Sequence, residues 1–129
     1  MNKWNIGVDV ADVARFRRWS YHEKKNFYRR IFTEKEIKHC LSSKDPAPHF
    51  AANFSAKEAV YKAVSGFFTV KLKEIEILRD SQGAPQVNLL NNPEEHRNEA
   101  ALPLDIKVSL SHSALHAVAF AVAHYSSNP

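Results

Sequence analysis

The chain has 129 residues, which is enough for one domain with its own hydrophobic core and too few for two ordinary domains. Hydrophobic residues make up 44% and charged residues 25% of the sequence, which excludes a disordered chain and a fibrous protein. A formal net charge of +4 favours an acidic partner, which nucleic acid, a phosphorylated small molecule or an acidic protein would each provide.

The sequence shows no sign of export or membrane insertion. Its single cysteine, Cys40, has no partner for an internal disulfide, as is typical of a reducing compartment. No charged and apolar leader opens the sequence, and the apolar run at residues 115–123 is too short to cross a bilayer. We therefore expect a cytoplasmic protein that makes no contact with a membrane.

The first part of the chain predicts a strand followed by two helical segments. Residues 4–10 alternate, with apolar side chains on one face and Gly7 and Asp9 on the other, which is typical of a strand. Apolar spacing then predicts a helix over residues 12–19 and a buried helical stripe that includes positions 27 and 31.

Two further helices are predicted around a proline-containing break. Thr33 and Glu36 have the spacing of a capping box, which predicts a helix that runs to about residue 41. Prolines disfavour helix over residues 42–48, and strong helix formers predict a long helix over residues 49–65.

The last part of the chain predicts four strands. Residues 73–79 and 87–90 flank turn chemistry at residues 80–85, which predicts a hairpin, and the polar residues 91–104 form a loop or a short helix. Alternation predicts two further paired strands, one over residues 106–111 and one whose alanine face consists of Ala117, Ala119, Ala121 and Ala123. Such a face implies that a helix or a second subunit packs closely against it.

Two carboxylates stand in settings where carboxylates are not expected. Asp9 ends an apolar strand, and Glu58 lies at the rim of an apolar helix face. Mg²⁺ binds oxygen ligands and is typically held by one or two carboxylates plus substrate phosphates, so this pair could hold it. Lys57 and Lys62 would then neutralise phosphates. The alternatives are a surface ion pair between Glu58 and Lys62, spaced four apart on a helix, and simple solvent exposure of Lys57 and Lys62.

Residues 109–113 read SLSHS and suggest two other sites, neither of which the context favours. A serine nucleophile lacks the Gly-x-Ser-x-Gly elbow and an oriented acid. A zinc site at His112 and His116 needs a helix, whereas the flanking alternation predicts strand, turn and strand. His112 could bind phosphate, but capping a turn is the simpler interpretation.

Aromatic and basic residues interleave over residues 16–30, and this pattern supports a second class of function. Rings that stack on bases and cations that meet phosphates would suit a small basic nucleic-acid-binding module. The same apolar residues also fit a buried helical stripe, which is the simpler explanation.

Three segments, taken together, resemble the holo-acyl-carrier-protein synthases, the short class of 4′-phosphopantetheinyl transferases. They are residues 7–9 (GVD) with Arg15 six residues later, residues 54–63 (FSAKEAVYKA) and residues 109–113. The middle motif is highly specific, and the shared order and spacing of all three strengthen the resemblance.

The resemblance implies an α+β fold in which a mainly antiparallel sheet packs on a long active-site helix. Residues 1–129 would form a single 4′-phosphopantetheinyl transferase domain. Short members of the family assemble as homotrimers with active sites between neighbouring subunits, so a trimer is implied here.

The resemblance also implies the reaction. In the family, Mg²⁺-dependent transfer moves 4′-phosphopantetheine from coenzyme A to a serine of acyl carrier protein and releases 3′,5′-ADP, as part of fatty-acid biosynthesis. Asp9 and Glu58 would hold the metal, and Glu58 would also help to remove the serine proton. Lys62 would neutralise the pyrophosphate.

The remaining positions carried over from the family concern the nucleotide and the partner protein. Lys57, Ser111 and His112 would contribute to the coenzyme A site. Arg15 would meet the acidic carrier protein, which suits the basic character of residues 15–30.

Two positions depart from the family pattern. Asn53 stands where the family commonly has arginine, and residues 65–68 (SGFF) replace a more glycine-rich turn. Both changes would remove positive charge or backbone access from the coenzyme A side. A non-catalytic relative that keeps the fold is therefore a further alternative.

Overall fold

The structure is a computed structural model that describes residues 2–67, 69–90 and 104–126. Within these residues the chain forms five strands and four α-helices, together with a 3₁₀ turn at Leu72–Glu74. In chain order they are β1 (Asn2–Asp12), α1 (Val13–Arg18), α2 (Lys25–Ile31), α3 (Glu34–Leu41), α4 (Pro46–Val64), β2 (Ile75–Arg79), β3 (Pro85–Leu89), β4 (Leu104–His112) and β5 (His116–Ser126). Within the described ranges, no helix has both the length and the apolar character needed to cross a membrane.

The strands form two antiparallel sheets, which confirms the predicted α+β class. One sheet has the order β1-β5-β4, and the other is the β2–β3 hairpin. Asp9 of β1 pairs with Ala119 of β5, which pairs in turn with Leu110 of β4. Because paired residues point to the same face of a sheet, the three side chains lie on one face.

Helix α4 covers this face of the three-stranded sheet through small side chains. Its alanines share a buried cluster with those of β5, namely Ala56, Ala59, Ala63, Ala119, Ala121 and Ala123. On β1 the approach is closer still, because a Cβ added to Gly7 would lie 2.0 Å from the carbonyl oxygen of Ala59. Of the two partners expected for the alanine face, the helix is confirmed and the second subunit is wrong, since no room remains on that face.

Helix α4 begins at Pro46, inside the segment that the sequence predicts to be a break. Prolines at the first positions of a helix lose no intrahelical hydrogen bond, because the first backbone N–H groups have no partner within the helix. Asp45, the N-cap residue, does not cap the helix with its side chain. Its carboxylate instead accepts two hydrogen bonds from Arg17, at 2.7 and 2.9 Å.

The predicted capping box and hairpin are both present. Glu36 N–H donates to Thr33 Oγ1 at 3.2 Å, and Thr33 N–H donates to Glu36 Oε1 at 2.8 Å. In the hairpin turn, Gly83 has a φ of 86°, which a residue without Cβ adopts readily. The predicted loop at 91–104 lies outside the described residues except for its last residue, which begins β4.

The second core cluster is aromatic and joins α1, α2, α3 and the first half of α4. Its largest buried rings are Phe16, Tyr28, Phe32 and Phe50. The helical stripe predicted at positions 27 and 31 is half-buried and is centred on Tyr28, which is fully buried. Phe16 and Tyr28 are therefore not free to stack on nucleic-acid bases.

Cys40 of α3 provides a test of this core. Burial is the main reason that the pKa of Cys40 rises from its ordinary value of 9.0 to about 12, with a further contribution from Glu36. In the unfolded chain the thiol ionises near its ordinary pKa, whereas the folded chain keeps the proton. The free energy of unfolding should therefore fall as the pH rises above 9.0.

We expect Cys40→Ala to make this fall shallower, measured by urea unfolding between about pH 8 and about pH 10. Tyr28 also has a pKa raised to about 12, mainly by burial, but it affects stability only near and above its ordinary value of 10.0. An equally steep fall in the variant would contradict the assignment to Cys40.

Candidate active site

Asp9, Glu58 and Lys62 converge where β1 meets α4. Glu58 and Lys62 lie on successive turns of the helix, and Asp9 lies on the sheet face that the helix covers. Lys62 Nζ lies 3.4 Å from Asp9 Oδ1 and donates to the carbonyl oxygen of Val8 at 3.0 Å. Lys62 is thus paired with Asp9 rather than in the simple surface ion pair with Glu58 that its spacing allowed.

The charge state of Glu58 reflects its crowded surroundings. Partial burial raises the pKa of Glu58, and the negative charge of Asp9 raises it further. The positive charges of Lys62 and Arg15 lower this pKa and so oppose the shift. A divalent cation relieves the repulsion between two neighbouring carboxylates, here the repulsion by which Asp9 raises the pKa of Glu58.

The donor set at this position fits Mg²⁺. Asp9 and Glu58 supply hard oxygen ligands, and the half-exposed Lys62 shows that the site opens to solvent. In the described part of the chain, no group of three or more His, Cys, Asp or Glu side chains could hold a metal. An ion bound by these two carboxylates would therefore take its other ligands from water or substrate, as Mg²⁺ commonly does.

Arg15 borders the site on the side of the aromatic core. Its guanidinium lies 5.1 Å from the ring centroid of Phe54, 5.8 Å from that of Phe16 and 6.0 Å from that of Phe27. The rings hold the Arg15 cation at a partly exposed position near Glu58. It is thus available to an acidic partner.

Ser111 and His112 lie apart from the carboxylates. They end β4, which is separated from β1 by β5, and successive strand residues point to opposite faces. His112 lines an open cleft together with Arg17, Asp45 and Pro48. Pro48 precedes Glu58 by about 15 Å along the axis of α4. A single chain therefore does not bring Ser111 and His112 to the Asp9–Glu58 pair.

The structure corrects both expectations for Lys57. Its side chain has no exposed surface, and its ammonium lies 2.7 Å from Glu36 Oε1, so it is neither a phosphate partner nor solvent-exposed. Neighbouring helix residues project about 100° apart, so Lys57 faces α3 and β2 while Glu58 faces β1. Sequence reasoning interpreted Glu36 only as a capping residue and missed its role as the partner of Lys57.

The departures from the family pattern fall in two different settings. Asn53 is buried, and its Nδ2 lies 4.0 Å from Cys40 Sγ, so its side chain points between α3 and α4. Gly66 follows the end of α4 and lies beside Asn5, whereas residue 68 is outside the described part of the chain.

One feature that sequence reasoning missed is the exposed apolar face of the three-stranded sheet, on the side away from α4. The side chains that form it are Trp4, Ile6, Val8 and Val10 of β1 and Val118 and Phe120 of β5. Val8 is 55% exposed and pairs with Phe120, which is 44% exposed. A continuous apolar patch of this kind is typical of a protein–protein interface. The sequence signal for this face is the row of large apolar residues that alternate with Gly7 and Asp9 along β1.

Comparison of the sequence and the fold with known proteins identifies the family of this chain. Residues 5–121 match the model of the 4′-phosphopantetheinyl transferase superfamily. A holo-[acyl-carrier-protein] synthase of Clostridium botulinum (strain Eklund 17B / Type B) is 40% identical over 121 residues, covering 91% of this chain and 94% of that protein. That of Geobacter sp. (strain M21) is 36% identical over 121 residues, covering 92% and 96%.

A solved structure agrees with the sequence relatives. The crystal structure of a holo-(acyl-carrier-protein) synthase from Bacillus anthracis str. Ames, in complex with CoA (3′,5′-ADP), has a TM-score of 0.73 and 28% identity with this chain. The match covers 95% of this chain and 96% of that one. On its motifs, its fold and its relatives, the chain belongs to the 4′-phosphopantetheinyl transferase superfamily, as a holo-[acyl-carrier-protein] synthase.

Proposed function

We propose that this chain transfers 4′-phosphopantetheine from coenzyme A to a serine of acyl carrier protein and releases 3′,5′-ADP. The reaction depends on Mg²⁺ and serves fatty-acid biosynthesis in the cytoplasm, and residues 1–129 act as one domain. The observation that carries the proposal is the convergence of Asp9, Glu58 and Lys62 between β1 and α4. The coenzyme A complex of the B. anthracis relative supports the choice of donor.

Asp9 and Glu58 are the residues that hold the metal. A bound Mg²⁺ would supply positive charge at the pyrophosphate of the donor. Lys62 adds a second positive charge there, because its ammonium is half-exposed and already lies beside Asp9. The positive charge that meets an anionic donor would thus come from the bound ion together with Lys62, since the two carboxylates alone outweigh the lysine.

Glu58 is also the residue that accepts the proton of the attacking serine. Partial burial and the charge of Asp9 raise the pKa of Glu58 above its ordinary value, towards the range in which a carboxylate is an effective base. Arg15, on the aromatic border of the site, binds the acidic carrier protein and brings its serine towards Glu58.

A homotrimer with active sites between subunits accounts for two observations. The apolar face formed by Trp4, Ile6, Val8, Val10, Val118 and Phe120 has no cover within the described part of the chain. Ser111 and His112 lie far from Asp9 and Glu58 in one chain, so a neighbouring subunit would have to supply one half of the nucleotide site. Packing the apolar faces of neighbouring subunits together would cover these side chains and would bring the two halves of the nucleotide site next to each other.

The proposed reaction is tested by incubating the protein with coenzyme A, Mg²⁺ and an apo carrier protein. Intact mass spectrometry of the carrier should show the gain of one phosphopantetheine group, which chelation of the metal abolishes. No mass gain with any divalent metal would instead identify a non-catalytic relative that keeps the fold.

The assembly is tested by Val8→Glu, which places a charge in the centre of the exposed apolar face. We expect the variant to sediment as a monomer with an unchanged circular dichroism spectrum, because burying an unpaired carboxylate in an interface is unfavourable. Transfer should fall with it, since each active site would lose its second subunit. Gln82→Glu, in the exposed hairpin turn, is the control and should remain trimeric. A trimeric Val8→Glu variant would rule out this face as the interface.

A further inference from the structure

Lys57 directly precedes Glu58 in α4, yet its side chain is buried on a different side of the helix. Its ammonium donates to Glu36 Oε1 of α3 at 2.7 Å and also to the carbonyl oxygen of Ile75 in β2. Neither Lys57 nor Glu36 has any exposed side-chain surface. The proposed reaction assigns no task to this pair.

Glu36 extends the contact into a network of directional hydrogen bonds. Its Oε1 accepts from Thr33 N–H at 2.8 Å, and its Oε2 accepts from Ile77 N–H of β2 at 2.7 Å. Thr33 Oγ1 in turn donates to Glu76 Oε2 at 2.7 Å. Lys57 therefore ties α4 to both α3 and β2 through a carboxylate that is itself fixed on several sides.

Stability alone does not account for a charged pair at this position. Burial raises the pKa of Glu36 and lowers the pKa of Lys57, and the attraction between the two groups opposes both shifts. Apolar residues of similar volume commonly give equal or greater stability than such a pair. Charge-assisted hydrogen bonds differ from apolar contacts in that they also specify the direction of each contact.

The direction of these contacts matters because the side of α4 that faces the sheet has few protruding side chains that could fix the rotation of the helix. Beneath α4, β5 contributes alanines and β1 contributes Gly7, and these small residues permit a close approach but interlock weakly. A rotation of α4 by about 15° would move the Glu58 carboxylate by roughly 1–2 Å, given the helix radius and side-chain length. A misplacement of about 1 Å can lower a reaction rate about 10²-fold.

We propose that Lys57 is a positioning residue, which fixes the rotation of α4 through its ion pair with Glu36 and thereby holds Glu58 and Lys62 towards Asp9. The inference rests on the proposed function. It concerns a contact on a different side of the helix from the reacting groups.

The first test compares Lys57→Met with the unaltered protein, at a temperature where circular dichroism shows both to be folded. We expect kcat to fall by about 10- to 100-fold, as for other residues that orient a metal ligand, with the KM for carrier protein unchanged. Mn²⁺ affinity, measured by electron paramagnetic resonance without substrate, should fall by a similar factor.

The matched control is Ile37→Ala, which removes a buried side chain from α3 next to Glu36 without touching the pair. It should lower stability by about 2–5 kcal/mol while leaving kcat and Mn²⁺ affinity per folded molecule intact. If Lys57→Met keeps the unaltered protein's kcat and Mn²⁺ affinity, or loses no more of them than Ile37→Ala does, the pair is purely structural and the proposal is overturned.

A second test isolates the ammonium group and does not depend on Lys57→Met folding. Cys40 is the only cysteine, so a Cys40→Ala, Lys57→Cys chain carries one thiol. The unfolded chain is alkylated with an aminoethyl or a propyl group and refolded; the two products differ only in their terminal ammonium or methyl. The aminoethyl product should recover the kcat and Mn²⁺ affinity of Cys40→Ala, and the propyl product should not. Equal values for the two products would refute the proposal.

These outcomes are separable from the fate of the proposed function. If the unaltered protein transfers no phosphopantetheine, the proposed function fails, whereas Mn²⁺ affinity still reports whether Lys57 positions Glu58. If the unaltered protein is active and the Lys57 variants match it, only the positioning role fails.

Discussion

Glu58→Gln should lower kcat for transfer by a factor of about 10²–10⁴, because it removes the residue that we propose as both metal ligand and proton acceptor. Glutamine has nearly the same size and shape, so the contact between α4 and β1 should persist. The KM for carrier protein should change little, since Arg15 is untouched. The rate is measured as carrier-protein mass gain under saturating coenzyme A and Mg²⁺.

The control for Glu58→Gln is Glu34→Gln, which neutralises an exposed carboxylate in the first turn of α3. It changes the net charge by the same amount and should retain the activity of the unaltered protein. Full transfer activity in Glu58→Gln would sink the catalytic assignment, because Glu58 is the carboxylate on which the charge of Asp9 acts.

Gly7→Ala should have the largest effect on stability among the Gly→Ala substitutions of this chain. The new Cβ would lie 2.0 Å from the carbonyl oxygen of Ala59 and 2.9 Å from Lys62 Cβ, so backbone must move. We expect a loss of about 3 kcal/mol or more, the upper end for overpacked sites, measured by urea unfolding. Transfer should also fall, because α4 carries Glu58 and Lys62 and would be pushed away from Asp9.

Gly66→Ala is the matched control, because it adds the same methyl group just beyond the end of α4. There the new Cβ would meet Asn5 Nδ2 at 2.8 Å, which is the end of a side chain that can turn away. The free energy of unfolding should change by no more than about 1 kcal/mol. If the two variants unfold at the same urea concentration, the close approach of α4 to β1 at Gly7 is not a determinant of stability.

The sequence predicted most elements because their signals are local. The capping box at Thr33 and Glu36 and the turn residues around Gly83 act within a few residues, so they could be found without knowing the fold. The predicted start of α4 is wrong for an equally local reason. Prolines near Pro46 indicate a break in the sequence pattern, although the first turn of a helix accepts them.

The two faces of β1 illustrate what a local sequence pattern cannot predict. A period of two separates Gly7 and Asp9 from Ile6, Val8 and Val10, but it does not say which set is covered. The tertiary structure covers the small and acidic set, because α4 approaches β1 so closely at Gly7 that any side chain there would collide with Ala59. The bulky apolar set is therefore left exposed, and we propose that other subunits cover it.

By itself, the sequence determined the chemistry that we propose for the site, since it placed Asp9, Glu58 and Lys62 in motifs that resemble one family. Only the tertiary structure decided which lysine lies at Asp9. Lys57 and Lys62 lie on the same helix, yet one is buried against Glu36 and the other lies beside Asp9. Helical periodicity gives the angle between two side chains, whereas the part of the protein that each one faces depends on partners far away in the chain. Glu36 is 21 residues from Lys57, and Asp9 is 53 residues from Lys62.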